Sequence, residues 1–229
     1  LARAAASKRD SRPELVRLVD VTDGADERLA ACLIFSSGRS SLRDARAAAA
    51  KLGRKGRKAI IAATMEGMEA HDAVWREFEN INFTFELVVS ASCYAQLKRH
   101  RLATLVVQRY DPRLGISIPD AFMRAGTVRL IRDAARDAER FYRRHAGALG
   151  QAAEYALLNA HRRRALLGIN LRELYHFSRL RSDMAAQWEI REISDEMCRL
   201  AAERVPCGAA LLCGKDGFQK KIKQLCFDK

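Results

Sequence analysis

One stretch constrains this chain more than any other: Asn82-Phe83-Thr84-Phe85-Glu86-Leu87-Val88-Val89. β-branched and aromatic residues in partial alternation suit a half-buried strand. Around it the pattern is mostly helical. Residues 26–35 read as a short helix, and Ser40-Ser41 opens a second that closes near Leu52-Gly53. Residues 53–58 read as a basic turn and 59–70 as a further helix. Residues 92–99 read as helix. A long helix spans 126–144 on the stripe Ile131, Ala134, Ala135, Ala138, Phe141 and Tyr142, with His145-Ala146-Gly147 stopping it. Residues 151–162, 171–181 and 184–204 complete the helices, the last capped by Ser182-Asp183. Further strands are expected over 15–21, within 102–110 and over 165–169, with 115–118 extended. Strands and helices do not alternate strictly, so the reading is α+β rather than a doubly wound parallel sheet.

The 229 residues are 48% hydrophobic and 30% charged, an ordinary balance for a packed domain. Residues 1–14 read as a flexible basic lead-in and 15–229 as a single domain. The longest apolar runs fall far short of the roughly 20 residues that a spanning helix needs, so no membrane partner is expected. Six cysteines show no C-x-x-C pairing and read as reduced thiols of a cytoplasmic protein. Cys207, Cys213 and Cys226 lack a nearby histidine or fourth ligand, so no metal is expected. With 41 Lys and Arg against 28 Asp and Glu, the formal charge of +13 favours polyanionic partners: nucleic acid, nucleotide phosphates or an acidic membrane face. Aromatic residues are not interleaved with the basic ones beyond Tyr94 and Tyr110, so nucleic acid is not the expected partner.

Three polar clusters carry chemistry. Gln96-Leu97-Lys98-Arg99-His100-Arg101 gathers cations at a helix exit, where they meet either an anion or water. Its plain alternative is a solvated basic helix end. Asn170-Leu171-Arg172 opens a helix on which Arg172, His176 and Arg179 share one face, with Glu173 off it. Asn170 can cap that helix or present its amide to a ligand; the plain alternative is an amphipathic surface helix. Gln187-Trp188-Glu189 begins the next helix and reads as capping and packing.

Together these segments, with Phe78-Glu79-Asn80-Ile81-Asn82-Phe83-Thr84-Phe85 upstream and Gln108-Arg109-Tyr110 between them, resemble the flavin-dependent thymidylate synthase family over roughly residues 15–205. The resemblance implies a homotetramer with helices around a small, mostly antiparallel sheet. It implies FAD as cofactor, NADPH and methylenetetrahydrofolate as co-substrates, and methylation of uracil C5 in dUMP or a related pyrimidine nucleotide. By motif position Arg99, His100, Arg101, Asn170, Arg172 and His176 are the implied FAD contacts. Gln96, Arg99, Arg109 and Arg181 are the implied nucleotide contacts, and Arg181 is the catalytic cation that polarises the uracil ring. The chain also departs from the pattern. Its signature from Arg99 to Tyr110 is short, and Val107 stands where the family has serine. Glu154 stands where the family has a nucleotide-binding arginine, and Asn80 where it has a flavin-contacting histidine. Three readings therefore follow: a dUMP methylase, a flavoprotein with another acceptor, and a non-catalytic paralogue that keeps the fold.

Overall fold

The structure is a computed structural model that describes residues 14–227. The lead-in expected over 1–14 therefore lies, apart from Glu14, outside the described residues, as does the side chain of Cys226. Four strands form one antiparallel sheet in the order β1-β2-β4-β3: β1 Val16–Val21, β2 Asn82–Ser90, β3 Thr104–Val107 and β4 Arg162–Asn170. The helices are α1 Ala25–Ser37, α2 Leu42–Lys51, α3 Arg54–Ala63, α4 Ala91–Leu97, α5 Asp120–Arg124, α6 Val128–Leu149, α7 Leu171–Arg181, α8 Trp188–Arg204 and α9 Lys215–Phe227. The α+β expectation holds. No described helix is long and apolar enough to cross a membrane.

The strand read most clearly from the sequence lies inside the sheet. Phe83, Phe85 and Leu87 of β2 point to one face and are fully buried, beside Ile169, Leu167 and Ala165 of β4 in register. Their alternation with Thr84 and Glu86 is what a sheet covered on one face demands. Leu29 and Leu33 of α1, Leu174 and Phe177 of α7, and Ile190, Ile193 and Met197 of α8 join that core.

Several boundaries differ from the sequence expectation. Residues 54–58 are helical rather than a turn: α3 starts at Arg54, because Ile61 and Ala62 have a core to bury in and Arg57 Nη1 donates to Glu27 Oε2 on α1 at 2.7 Å. The helix ends at Ala63 rather than continuing to Ala70, and Gly67 adopts a left-handed φ of 74°. α6 runs through Gly147 and stops at Gly150, whose φ is 56°. A lone helical glycine costs only about 1 kcal/mol, less than the turn it was expected to impose. Residues 151–162 are not a helix: a 3-10 turn covers Gly150–Ala156, and β4 begins at Arg162. Three consecutive arginines hid that strand start. α8 begins at Trp188, capped by Gln187 Oε1, which accepts from Ile190 N at 3.0 Å, and not by Ser182-Asp183.

Two strand ends turn directly into capped helices. Ser90 Oγ accepts from Cys93 N at 3.1 Å and launches α4; Asn170 Oδ1 accepts from Glu173 N at 2.8 Å and launches α7. Glu189, in the first turn of α8 and 3% exposed, ties the β2 end down. Its carboxylate accepts from Ser90 N at 3.0 Å, from Ser90 Oγ, and from Ser117 Oγ at 2.6 Å. Arg162 Nε donates to the same Ser117 Oγ at 2.9 Å. Burial holds the Arg162 guanidinium below its ordinary pKa, with the Glu189 charge acting the other way. The network joins α8, β2, β4 and the 115–118 segment through one carboxylate.

Glu189→Ala should therefore cost about 3 kcal/mol or more, since it strips several buried donors at once. Glu189→Gln, which keeps an acceptor of the same shape, should cost less than half as much. Urea unfolding of both variants checks this; equal losses would refute it.

Candidate functional site

α7 leaves the end of β4 and runs back across the sheet. Its residues Glu173, Phe177 and Arg181, four apart, form one stripe. His100, in the turn after α4, lies along that stripe. Its ring centroid is 4.6 Å from that of Phe177, and Nδ1 is 3.2 Å from Glu173 Oε1. Arg181 Nε donates to His100 Nε2 at 3.0 Å, and Arg181 Nη1 donates to Gln96 Oε1 at 2.9 Å. A guanidinium has only donors, so His100 Nε2 is the acceptor and Nδ1 carries the proton donated to Glu173. Both His100 and Glu173 are buried. Arg181 thus donates both to His100 and to Gln96, and His100 in turn donates to Glu173, which fixes the Arg181 head.

Its electrostatics are uneven. Arg181 makes its two side-chain hydrogen bonds to neutral groups, so its charge is not cancelled locally. Partial burial first, and the like charge of Arg99 second, push its pKa down from the ordinary value. Arg99 and Arg101 are exposed, and their side chains have no hydrogen-bond or ion-pair partner among the described residues. His176 is also exposed, its ring 6.0 Å from that of His100. The result is a cationic surface of Arg99, Arg101 and Arg181 beside an imidazole, suited to an anionic, aromatic ligand. The nearby thiol, Cys93, is fully buried, and burial and Glu189 push its pKa up, which makes it a poor nucleophile.

The other expected residues are placed as follows. Asn170 is the helix cap, so its amide oxygen is used internally. Arg172 is half-buried and braces the strand entry: Nε donates to Val74 O at 2.9 Å and Nη1 to Glu79 Oε1 at 3.1 Å. The single face expected for Arg172, His176 and Arg179 does not form one surface. Arg179 is buried, its guanidinium 5.1 Å from the Phe218 ring of α9 and its Nη2 3.4 Å from Met68 Sδ. The stripe one position on, starting at Glu173, faces the cluster instead. Arg109 is paired through Nε with Glu154 Oε1, so the cation meant for a nucleotide already has a carboxylate. Val107 is half-buried in β3, opposite Ala165, and packs on the core. Arg162, Arg163 and Arg164 are also engaged. Arg163 lies 5.0 Å from the Tyr94 ring centroid and 4.5 Å from that of Tyr110, while Arg164 Nη1 donates to Glu86 Oε1 at 3.1 Å.

Glu173 and Glu189 are the residues that sequence reasoning missed. A glutamate in the first turn of a helix is ordinarily a solvated partner of the helix dipole. Only its place four residues before Phe177 and eight before Arg181 marks Glu173 as inward-facing.

Comparison with known proteins gives a consistent result. The family model described as thymidylate synthase complementing protein (Thy1) matches residues 17–207. A UPF0159 protein of Thermoplasma acidophilum is 30% identical over 126 residues, 54% of this chain and 25% of that protein. A flavin-dependent thymidylate synthase of Pyrococcus abyssi is 32% identical over 138 residues, 55% of this chain and 57% of that protein. The match thus spans about a quarter to a little over half of these curated relatives. Among solved structures, a UMP/dUMP methylase, PolB from Streptomyces cacaoi bound with 5-Br dUMP, superposes with a TM-score of 0.66 at 18% identity. That superposition covers 85% of this chain and 92% of the other, and shows a shared fold.

His100→Ala should cost about 2–4 kcal/mol, because it leaves the Glu173 carboxylate buried without that donor. Arg181→Ala should cost less than about 1 kcal/mol, its head being only partly buried. Coupling between His100→Ala and Glu173→Ala in a double-mutant cycle should reach about 1–3 kcal/mol. Additive losses would show that the pair does not interact.

Proposed function

We propose, from the premise that this chain belongs to the thymidylate synthase complementing protein family, that it methylates C5 of a uracil nucleotide, dUMP or a close relative. The donor is methylenetetrahydrofolate and the reductant NADPH, with FAD as the resident cofactor and a homotetramer as the working assembly. A cytoplasmic setting, in which the cysteines stay reduced, belongs to the same reading. The carrying observation is the Arg181 guanidinium, oriented by the neutral groups Gln96 Oε1 and His100 Nε2 and left with its charge uncancelled. A fixed cation with nothing to neutralise it is suited to a pyrimidine carbonyl on which negative charge develops.

The residues fit FAD. Arg99 and Arg101 offer two exposed guanidinium groups without side-chain partners among the described residues, which suit a pyrophosphate. His176 lies on the same surface, next to His100. Asn170 and Arg172 serve the site by setting the start of α7, and Arg172 is braced on Glu79. His100 acts as the support of Arg181, since both of its ring nitrogens are occupied. Bound FAD would supply the electron transfer from NADPH that a methyl group, rather than a methylene, requires. Gln96 and Arg181 would orient the base.

A second reading has its own observation. Glu154 neutralises Arg109, and it replaces a cation where a nucleotide phosphate is expected to lie. That favours an acceptor whose phosphate is absent or held elsewhere.

Wild-type protein should bind FAD. The pair Arg99→Ala/Arg101→Ala should weaken binding by about 100-fold or more, at about 1.5–3 kcal/mol per charge-assisted bond, with no loss of stability. Fluorescence titration with FAD checks this; a wild type that does not bind FAD sinks the reading. Glu154→Gln should free Arg109 and tighten dUMP about tenfold while leaving deoxyuridine unchanged, measured by calorimetry. Equal effects on both ligands would remove Arg109 from the phosphate site.

A further inference from the structure

Arg179 is 6% exposed, and no carboxylate among the described residues forms an ion pair with it. Its Nε has no hydrogen-bond partner among those residues. Its Nη2 meets the Met68 sulfur at 3.4 Å, and the guanidinium lies 5.1 Å from the Phe218 ring centroid. A thioether sulfur is only a weak acceptor. The neighbouring polar groups are occupied. Asp72, whose charge acts on Arg179, accepts from Glu69 N at 2.8 Å. The Tyr175 hydroxyl donates to Gly208 O at 2.7 Å and accepts from Leu211 N at 3.3 Å. A buried cation is costly unless it is paired and hydrogen-bonded, so Arg179 is short of one good acceptor.

Met68 is where such an acceptor can be made. Gly67, with its left-handed φ of 74°, turns the chain there, and Met68 N donates to Met65 O at 3.2 Å. Met65 is buried and anchors the turn, whereas Met68 is only partly buried, beside exposed Glu66, Gly67 and Glu69. The residue is thus open to solvent on one side with its sulfur against a guanidinium on the other. Hydrogen peroxide converts a thioether to a sulfoxide. The sulfur lone pair attacks one peroxide oxygen, the O–O bond breaks and an S–O bond forms. The departing hydroxide takes the proton of the transferred oxygen and leaves as water; the sulfur is oxidised by two electrons and the peroxide reduced by two. In most cores the new oxygen is disruptive, because it is polar and finds no donor. Here a charged donor already touches the sulfur, and a hydrogen bond to an ionised group is about twice as strong as a neutral one.

We propose that Met68 is a site of reversible oxidation, at which the sulfoxide oxygen becomes the hydrogen-bond partner of Arg179 and fastens the 64–72 segment to α7. That segment runs on to Val74 and Glu79, which Arg172 holds from the same helix. Oxidation adds a second clasp about two turns further along α7. Phe218 belongs to α9, beyond residue 207 where the family match ends, so one wall of this cluster lies outside the matched residues. The inference does not depend on the identity of cofactor or substrate.

Peroxide treatment, peptide mass spectrometry and thermal melting test it. The chain has five methionines; Met65 and Met197 are buried and Met123 and Met184 exposed, so the melting protein carries Met123→Leu/Met184→Leu. The Met68 peptide should gain one oxygen, and Tm should rise by about 2–4 °C. Methionine sulfoxide reductase should restore both mass and Tm. Met68→Gln, which offers an amide oxygen instead, should raise the Tm of untreated protein by a similar amount. Arg179→Met should abolish both increases, and alone it should not lower Tm, since it removes an unpaired buried cation. Met68→Gln decides the matter even where Arg179→Met does not fold. A Tm that fails to rise on oxidation or in Met68→Gln overturns the proposal, as does a rise that persists in Arg179→Met. So does a Met68 that stays unoxidised when Met123 of the wild type is fully converted. A rise that the reductase does not reverse and that tracks oxidation of Cys213, whose thiol also acts on Arg179, assigns the effect to that cysteine and overturns it. Stabilisation of untreated protein by phosphate or chloride that Arg179→Met removes also overturns it, because the guanidinium then already has an anion.

Discussion

A buried carboxylate must find a donor, and Glu173 finds it in His100. From that single requirement the arrangement of the site follows. The imidazole, holding its proton on Nδ1 for Glu173, can only accept at Nε2, and the group able to donate there is Arg181. Arg181 is thereby fixed without meeting a carboxylate, and Gln96 completes its orientation through another neutral oxygen. The cation is held in place and its charge is left for a ligand. A direct Glu–Arg pair at this position would hold the side chain as firmly and cancel its charge.

The same logic sorts the rest of a basic chain. Arg172 is spent on Glu79 and Val74, Arg164 on Glu86, Arg109 on Glu154, and Arg163 on Tyr94 and Tyr110. Arg162 leans on Ser117 beside the buried Glu189. Among the described residues, what stays unpaired around the α4 turn is Arg99, whose charge acts on Arg181, and Arg101. The net charge of +13 indicated a polyanionic partner without locating it; the pairing pattern is the ground for proposing that it binds there.

How much was legible beforehand depends on whether a signal was local. β2 was, because its alternation is a property of nine consecutive residues. α7 and its Asn170 cap were legible for the same reason. Gln96, Arg99, Arg101 and Arg181 could be singled out through a family resemblance, whereas the hydrogen bond from Arg181 to Gln96 was not among the expectations. The partners were not legible. Nothing near Glu173 in sequence says that a histidine 73 residues upstream lies against it. Arg179 was expected on one face with Arg172 and His176 and is instead buried against Phe218, since the face toward His100 starts one position on, at Glu173. Glu154 looked like a damaged contact, and the structure supplies what the sequence withheld: the carboxylate has Arg109 as its own partner. The start of β4 was masked by three arginines, each of which finds an anchor only in the folded chain.

In the proposed reaction Arg181, held by neutral partners, stabilises charge on a uracil ring during methyl transfer. Release of tritium from 5-tritiated uracil nucleotides, with FAD, NADPH and methylenetetrahydrofolate present, tests it most directly. The account predicts release by the wild type and a loss of about 100-fold or more in kcat for Arg181→Lys, on the scale of one removed oxyanion donor. FAD binding should be unchanged in that variant, because Arg181 is not among the groups proposed to hold it. Full turnover by Arg181→Lys would contradict the account. So would a wild type that binds FAD yet releases no tritium from any uracil nucleotide or nucleoside, which would leave a protein that keeps the fold and the flavin without the chemistry.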